Sequence, residues 1–366
     1  MKDPLAIEGF DYVRFYAENG RQSALFFASA FGFKIESYRG PETKHFESAD
    51  YLLTQNKIRL LISAPIRSTS EIAKLVFTHG MTASDVAFRV PDCEAFFNEA
   101  VKRGAKPDKS PQTTEDQFGT LKTASIKAYG DVIHSIIERS NYKGFLPGFV
   151  PYETFFSHPK QSELSGLKVI DHVVANVELG KMNHWVKFYE EVLGFSQFQH
   201  FSDNDISTEY SALMSKVMSG GNGKIKLPIN EPAEGKRKSQ IEEYLEFHNG
   251  PGVQHLAFAT NNIIDVIRSL RERGVTFLSV PKTYYDELPS RVGSIKQELK
   301  ELAELGILVD RDDDGYLLQL FTKPLHDRPT FFFEIIQREG SQGFGVGNFK
   351  ALFEAIERDQ ALRGNL

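Results

Sequence analysis

Along the chain, apolar positions recur in two rhythms: a two-residue alternation that marks strands and a three-to-four-residue spacing that marks helices. Asp11-Tyr12-Val13-Arg14-Phe15 reads as a strand. It leads into a helical pattern at Gln22-Ser23-Ala24-Leu25-Phe26-Phe27, which stops at Phe31-Gly32-Phe33. Further strands are predicted around Arg59-Leu60-Leu61-Ile62 and over 84–90, followed by an amphipathic helix over 93–103 that ends at Gly104. Two more strands, over 121–128 and 132–139, close this unit. A stretch over 142–166, punctuated by proline and glycine, reads as a connection. The order then returns: strand 169–177, helix 183–193 stopped at Gly194-Phe195, strand 255–259, helix 263–273 stopped at Gly274, and strands 317–322 and 330–338.

The recurrence extends to particular residues. Phe31-Gly32-Phe33 answers Leu193-Gly194-Phe195, Asp85-Val86-Ala87-Phe88 answers His255-Leu256-Ala257-Phe258, and Ile136-Ile137-Glu138-Arg139 answers Ile335-Ile336-Gln337-Arg338. A repeat of this length marks a duplicated domain rather than a solenoid. The predicted organisation is α+β, with one domain over 1–150, a second over 151–366 and a C-terminal helix. For that last helix, Asn348 is the expected N-cap, and Phe349, Leu352, Phe353 and Ile356 fall on one stripe.

One strand carries a chemical anomaly. Phe331-Phe332-Phe333-Glu334-Ile335-Ile336 sets a carboxylate in the middle of apolar side chains. Burying an ionised carboxylate costs several kcal/mol or more unless something positive meets it. Two other strands each carry one ionisable group in a comparable place, His172 in Ile170-Asp171-His172-Val173-Val174 and His255 in Val253-Gln254-His255-Leu256. Two histidines and one carboxylate are the donor set of the facial triad that holds non-haem Fe(II). Where the second half has His172, His255 and Glu334, the first has Tyr12, Asp85 and Ser135, so the set is present whole in one copy and absent whole from the other. The first half is therefore expected to be structural and the second to carry the site.

Composition narrows the classes. The 366 residues, 41% apolar and 25% charged, suit an ordinary two-domain globular chain. A net charge of −6 gives no electrostatic case for nucleic acid or an anionic membrane surface. The single cysteine, Cys93, excludes an intrachain disulfide and suits a reducing compartment. With no apolar run of membrane length and no signal-peptide pattern at Met1-Lys2-Asp3-Pro4, a cytoplasmic protein is expected.

Several ordered blocks, densest from Leu167 onward, carry a resemblance. They include Asp171-His172-Val173-Val174, Leu227-Pro228-Ile229-Asn230-Glu231-Pro232, Lys238-Ser239-Gln240-Ile241, Gly252-Val253-Gln254-His255, Leu318-Gln319-Leu320-Phe321, Phe333-Glu334-Ile335-Ile336 and Phe344-Gly345-Val346-Gly347-Asn348-Phe349. In these the chain resembles the 4-hydroxyphenylpyruvate dioxygenases of the vicinal oxygen chelate superfamily. The resemblance implies two tandem glyoxalase/bleomycin-resistance-like domains, each a pair of βαβββ modules forming a curved open barrel. It implies Fe(2+) held by His172, His255 and Glu334. The implied reaction converts 4-hydroxyphenylpyruvate and O₂ to homogentisate and CO₂ in tyrosine and phenylalanine breakdown.

The resemblance also assigns the pocket. Gln319, Gln254 and Gln240 are the implied polar catalytic groups, and Ser211, Asn230 and Phe321 the implied substrate contacts, with Gln240 joining Ser211 and Asn230 at the phenol end. Phe344, Phe349 and Phe353 are the implied lid. A dimer or tetramer is the implied assembly. Strand alternation alone turns Gln254 away from His255 unless the strand bulges there, whereas Gln319 and Phe321 share a face.

Other signals weigh less. Asp310-Arg311-Asp312-Asp313-Asp314-Gly315 opens like a calcium loop but has Phe321 where a bidentate glutamate belongs, so it reads as a turn. Glycine-rich 220–224 is followed by Ile225 where a phosphate loop needs Ser or Thr. The rival functions are a 4-hydroxymandelate synthase, an extradiol ring-cleaving dioxygenase and a metal-free binding module.

Overall fold

The structure is a computed structural model that describes residues 3–158, 166–201, 212–233 and 238–364. Ser211, together with Lys236 and Arg237 that precede the Gln240 block, lies outside the described residues.

The first half contributes β1 (Gly9–Tyr16), β2 (Lys34–Arg39), β3 (Ser48–Gln55), β4 (Ile58–Pro65), β5 (Thr82–Arg89), β6 (Pro107–Asp116), β7 (Gly119–Lys127), β8 (Ile133–Tyr142) and the short β9 (Val150–Pro151). The second contributes β10 (Leu167–Asn176), β11 (Ser196–Phe201), β12 (Ala212–Gly220), β13 (Ile225–Ala233), β14 (Gly252–Thr260), β15 (Leu308–Asp312), β16 (Gly315–Phe321) and β17 (Phe332–Glu339). They form two curled sheets, ordered β6-β7-β8-β5-β1-β4-β3-β2-β9 and β11-β12-β13-β10-β14-β17-β16-β15. Read from opposite ends and leaving out β9, the two orders are the same, so the internal repeat is a repeat of topology. Each half is two βαβββ units, and helix Phe349–Leu362 completes the chain.

Local chemistry sets the helices. Helix Gly20–Phe31 starts where the Asn19 side chain accepts from the Gln22 N–H and stops at Gly32, whose φ of 73° only glycine adopts without strain. Helix Gln240–His248 has a reciprocal cap, the Ser239 hydroxyl accepting from Glu242 N–H and the Glu242 carboxylate from Ser239 N–H. The sequence-predicted helix over 183–193 is present, with a wider turn over Phe188–Val192. Asn348 does not act as the expected cap. It is fully buried, and its side-chain oxygen accepts from the Tyr284 hydroxyl at 2.6 Å and from Arg291 at 3.1 Å. Tertiary partners outcompete the local cap there. Among the described residues no helix is long and apolar enough to cross a membrane.

The apolar core runs through both halves as one continuous cluster. Rings at and just before the start of β17 meet rings of the first helix and of β1: Phe333 lies 5.1 Å from Phe31 and 5.8 Å from Phe27 on the helix, and Phe331 lies 5.0 Å from Phe15 on β1. Tyr189 crosses the same boundary, its hydroxyl 2.8 Å from His134 Nε2. The inner face of the first sheet is filled by its own chain, with Phe145, Leu146 and Phe149 packed against Tyr12, Leu52 and Leu61. Among the described residues the second sheet has no such plug. Its inner face receives helix Phe349–Leu362 through Phe353, against Leu213, Val217 and Ile241, and keeps a cavity beside it.

Because Phe333 is fully buried and joins the two halves, Phe333→Ala is expected to destabilise the fold by about 3–5 kcal/mol. Denaturant unfolding followed by both fluorescence and circular dichroism checks this, with the two halves expected to unfold together. A loss under about 1 kcal/mol contradicts the packing described.

Candidate metal centre and adjoining cavity

The strands β10, β14 and β17 are neighbours in the second sheet, and their register builds the centre. His172 pairs across to Ala257, and Ala257 pairs across to Glu334, so the three form one row. His172 and Glu334 reach toward each other over the methyl group of Ala257, which leaves them room. His255 stands two residues earlier in β14, opposite Val174 and Phe332. His172 Nε2 lies 3.0 Å from Glu334 Oε2, and His255 Nε2 lies 3.4 Å from the same oxygen. One donor atom from each of the three residues falls within 4.8 Å of the others, and all three residues are buried.

Two β-bulges orient the imidazoles. Between Ile170 and His172 the register with β14 slips at Asp171, and between Val174 and Ala175 it slips at Gln254. A bulge cancels the strict alternation that sends neighbours to opposite faces. Each extra residue thereby turns back to the histidine that follows it. Asp171 Oδ1 is 2.8 Å from His172 Nδ1, and Gln254 Oε1 is 2.9 Å from His255 Nδ1. With Nδ1–H donated to these oxygens, each ring directs Nε2 at the centre, the tautomer a metal ligand needs. Gln254 is thus beside His255 because the strand bulges.

The electrostatics are those of a charge cluster taken out of water. Burial pushes the Glu334 carboxyl upward, but His172 and His255 outweigh it and bring its pKa down to about 2. Burial also disfavours the His172 imidazolium, yet Glu334 and Asp171 on its two sides hold its pKa above the ordinary value. Burial dominates at His255 and holds it below. Two imidazoles and a carboxylate, close together and braced from behind, fit a divalent transition metal.

A cavity of roughly 620 Å³, counted with its mouth, opens beside the centre. His172, His255 and Glu334 line it, as do Gln319, Gln254, Gln240, Asn230, Phe321, Phe344, Phe349 and Phe353. Every sequence-predicted site residue among the described residues is therefore at one cavity. Gln319 and Phe321 reach it from β16, where the expected shared face holds. Gln319 is buried, and its Oε1 has no hydrogen-bond partner among the described residues. The backbone of Gly345 passes so close that an added Cβ would come within 2.3 Å of that oxygen, and its φ is +78°. The left-handed conformation favours glycine there, and an added Cβ would displace the end of the Gln319 side chain. Asn230 Nδ2 donates to Asn176 Oδ1 at 3.3 Å. Phe332 stacks on His255 at 4.7 Å, and Phe344 meets His172 edge-on at 5.0 Å.

Sequence reasoning did not assign Val174, Leu213, Ser215, Val217, Pro228, Phe332, Leu352 and Ile356, which complete the wall. It also missed Asp171 and Arg338, joined by two hydrogen bonds of 2.7 and 2.8 Å behind His172. A signal for that pair was available: Asp11 and Arg139 stand at the corresponding places of the first half and are joined in the same way.

Comparison with known proteins places this geometry. Residues 1–147 match the family model described as "Hydroxyphenylpyruvate dioxygenase, HPPD, N-terminal". Residues 169–320 match that of the "Glyoxalase/Bleomycin resistance protein/Dioxygenase superfamily". A 4-hydroxyphenylpyruvate dioxygenase of Dictyostelium discoideum is 47% identical over 98% of this chain and all of its own length. Those of Yarrowia lipolytica and Danio rerio are each 45% identical over 98% of this chain, covering 93% and 92% of the relatives. Among solved structures, a mutant 4-hydroxymandelate synthase from Streptomyces coelicolor superposes with a TM-score of 0.87 at 29% identity, over 97% of this chain and 99% of its own. With near-complete coverage at such identity, the chain belongs to the 4-hydroxyphenylpyruvate dioxygenase family.

Proposed function

We propose that this protein is an Fe(2+)-dependent dioxygenase that converts 4-hydroxyphenylpyruvate and O₂ to homogentisate and CO₂, serving tyrosine and phenylalanine breakdown. The observation that carries this reading is the buried His172–His255–Glu334 cluster opening into an aromatic cavity, in a chain of this family. His172, His255 and Glu334 would hold the iron, which when bound supplies a site for the 2-oxo acid and for the reduction of dioxygen. The second domain, over 151–366, carries this chemistry, and the first, over 1–150, is structural.

The chain's own residues bind, orient and exclude water. The Gln319 side chain, whose buried Oε1 has no partner among the described residues, would take the polar end of the substrate, and Gln254 braces His255. Asn230 and Gln240, with Ser211, take the phenol hydroxyl, which needs a partner once buried. Phe321 flanks the substrate ring, and Phe344, Phe349 and Phe353 close the cavity against water. 4-Hydroxymandelate synthase is the second reading, favoured only by the structural likeness at 29% identity, below the identity of the dioxygenase relatives. Solution assembly as a dimer or tetramer, and a cytoplasmic location, belong to the same proposal.

Incubating the ferrous-loaded protein with 4-hydroxyphenylpyruvate under oxygen is expected to give homogentisate, read by mass spectrometry; hydroxymandelate as the main product overturns the assignment. Asn230→Ala is expected to raise KM for 4-hydroxyphenylpyruvate roughly tenfold and to leave phenylpyruvate, which lacks the hydroxyl, nearly unchanged. Equal effects on both substrates count against the assigned contact. Protons compete with metal for the same imidazoles, and His172, with its raised pKa, takes one first as the pH falls. Metal affinity by chelator competition is therefore expected to fall roughly tenfold per pH unit below neutrality. An affinity that stays flat between pH 8 and about 6 contradicts histidine ligation.

A further inference from the structure

Arg338 makes three kinds of contact at once. Its Nε and Nη2 donate to Asp171 Oδ2 and Oδ1 at 2.8 and 2.7 Å. Its Nη1 donates to the carbonyls of Gly343 and Ser341 at 2.6 and 3.3 Å. Its guanidinium also lies 5.6 Å from the centre of the Phe344 ring. Asp171 is the group behind His172 Nδ1, and Phe344 is the ring packed edge-on against His172. One guanidinium thus joins the carboxylate bracing a metal-facing imidazole to the segment that carries Phe344 and leads into helix Phe349–Leu362.

The first half holds the same clamp without the metal donors. Arg139 Nε and Nη2 donate to Asp11, each at 2.8 Å to one of its oxygens. Its Nη1 donates to the carbonyl of Gly144 at 3.3 Å and also to that of Phe145. The guanidinium lies 5.2 Å from the Phe145 ring, which meets Tyr12 edge-on at 5.5 Å. Asp11, like Asp171, sits at a bulge, between Phe10 and Tyr12. Residue for residue, Arg139, Asp11, Gly144, Phe145 and Tyr12 answer Arg338, Asp171, Gly343, Phe344 and His172. The shared contacts fold the segment after the last strand of each half, a structural duty common to both copies. The two copies differ in two respects: Asp11 also accepts from Arg89 at 2.9 and 3.0 Å and faces Arg59, and the clamp ends on a tyrosine in one copy and on a metal-facing histidine in the other.

We propose that Arg338 is a positioning residue for the metal centre. Through Asp171 it fixes the plane and tautomer of the His172 ring, and through the Ser341 and Gly343 carbonyls it fixes Phe344 against that ring. Metal site and cavity wall are thereby set by one side chain. The inference rests on the metal reading above. A planar fork that donates to a carboxylate on one side and to carbonyls on the other is a geometry lysine cannot reproduce. Partners of this kind behind a metal-bound imidazole change metal affinity by roughly 10–100-fold when removed.

The duplicated clamp supplies its own control. Ferrous ion affinity, measured anaerobically by chelator competition, and the thermal midpoint are compared for the unsubstituted protein, Arg338→Lys and Arg139→Lys. Arg139→Lys is expected to lower the midpoint and leave ferrous affinity unchanged. Arg338→Lys is expected to lower the midpoint and weaken ferrous affinity roughly 10–100-fold. Should Arg338→Lys not fold, Asp171→Asn, which keeps the shape of the side chain, is expected to show the same weakening. Affinities within about twofold of the unsubstituted protein for both Arg338→Lys and Asp171→Asn overturn the proposal. An unsubstituted protein that takes up no stoichiometric ferrous ion removes the metal reading itself, and this inference with it.

Discussion

The constraint on which the second domain depends is a carboxylate held away from water. Glu334 is buried on β17 between Phe333 and Ile335, and alone there its charge would cost several kcal/mol. His172 and His255 meet it on the cavity side. For them to do so, β10 and β14 must lie next to β17 in this order, residue 257 must be small, and each imidazole must be turned by a bulge. The sheet order, the Ala257 methyl and the bulges at Asp171 and Gln254 meet these demands. The charge that is costly to fold is also what fits the cluster to a divalent cation.

Duplication lets the molecule serve as its own reference. The place of the three donors is taken in the first half by Tyr12, Asp85 and Ser135, which satisfy one another: the Tyr12 hydroxyl donates to Asp85 at 3.0 Å and the Ser135 hydroxyl at 2.7 Å. Burial holds the Asp85 carboxyl above its ordinary pKa, the opposite of Glu334. Phe145, Leu146 and Phe149 then fill the space that the second half leaves open. One copy has closed its hydrogen bonds and its cavity. The other has kept donors facing inward and a wall, including helix Phe349–Leu362, that encloses space beside them.

How much of this could be read from the sequence follows from where the controlling interactions lie. Glu334, His172 and His255 stood out because each interrupts an apolar strand, and the topological repeat stood out because its echoes keep their order. Gln319 and Phe321 followed from parity along a regular strand. Gln254 did not, because a bulge depends on the partner strand and leaves no local mark. Strand β6, Pro107–Asp116, is largely exposed and polar, so it has no apolar alternation and exists through pairing with β7. Asn348 has a good cap residue's chemistry, but Tyr284 and Arg291, distant in sequence, claim its side chain. Arg338 closed one of the quoted echoes as an apparently ordinary strand end; its meaning lies in contacts to Asp171 and Gly343 that only folding brings together.

The central claim is that His172, His255 and Glu334 bind one iron ion together. Iron-edge X-ray absorption on the ferrous-loaded protein, compared with Glu334→Ala, addresses it most directly. The expected result is a shell of nitrogen and oxygen neighbours at roughly 2.0–2.2 Å with the outer scattering of two imidazoles, lost or reduced when the carboxylate is removed. A spectrum without imidazole scattering, or one that Glu334→Ala leaves unchanged, contradicts the account.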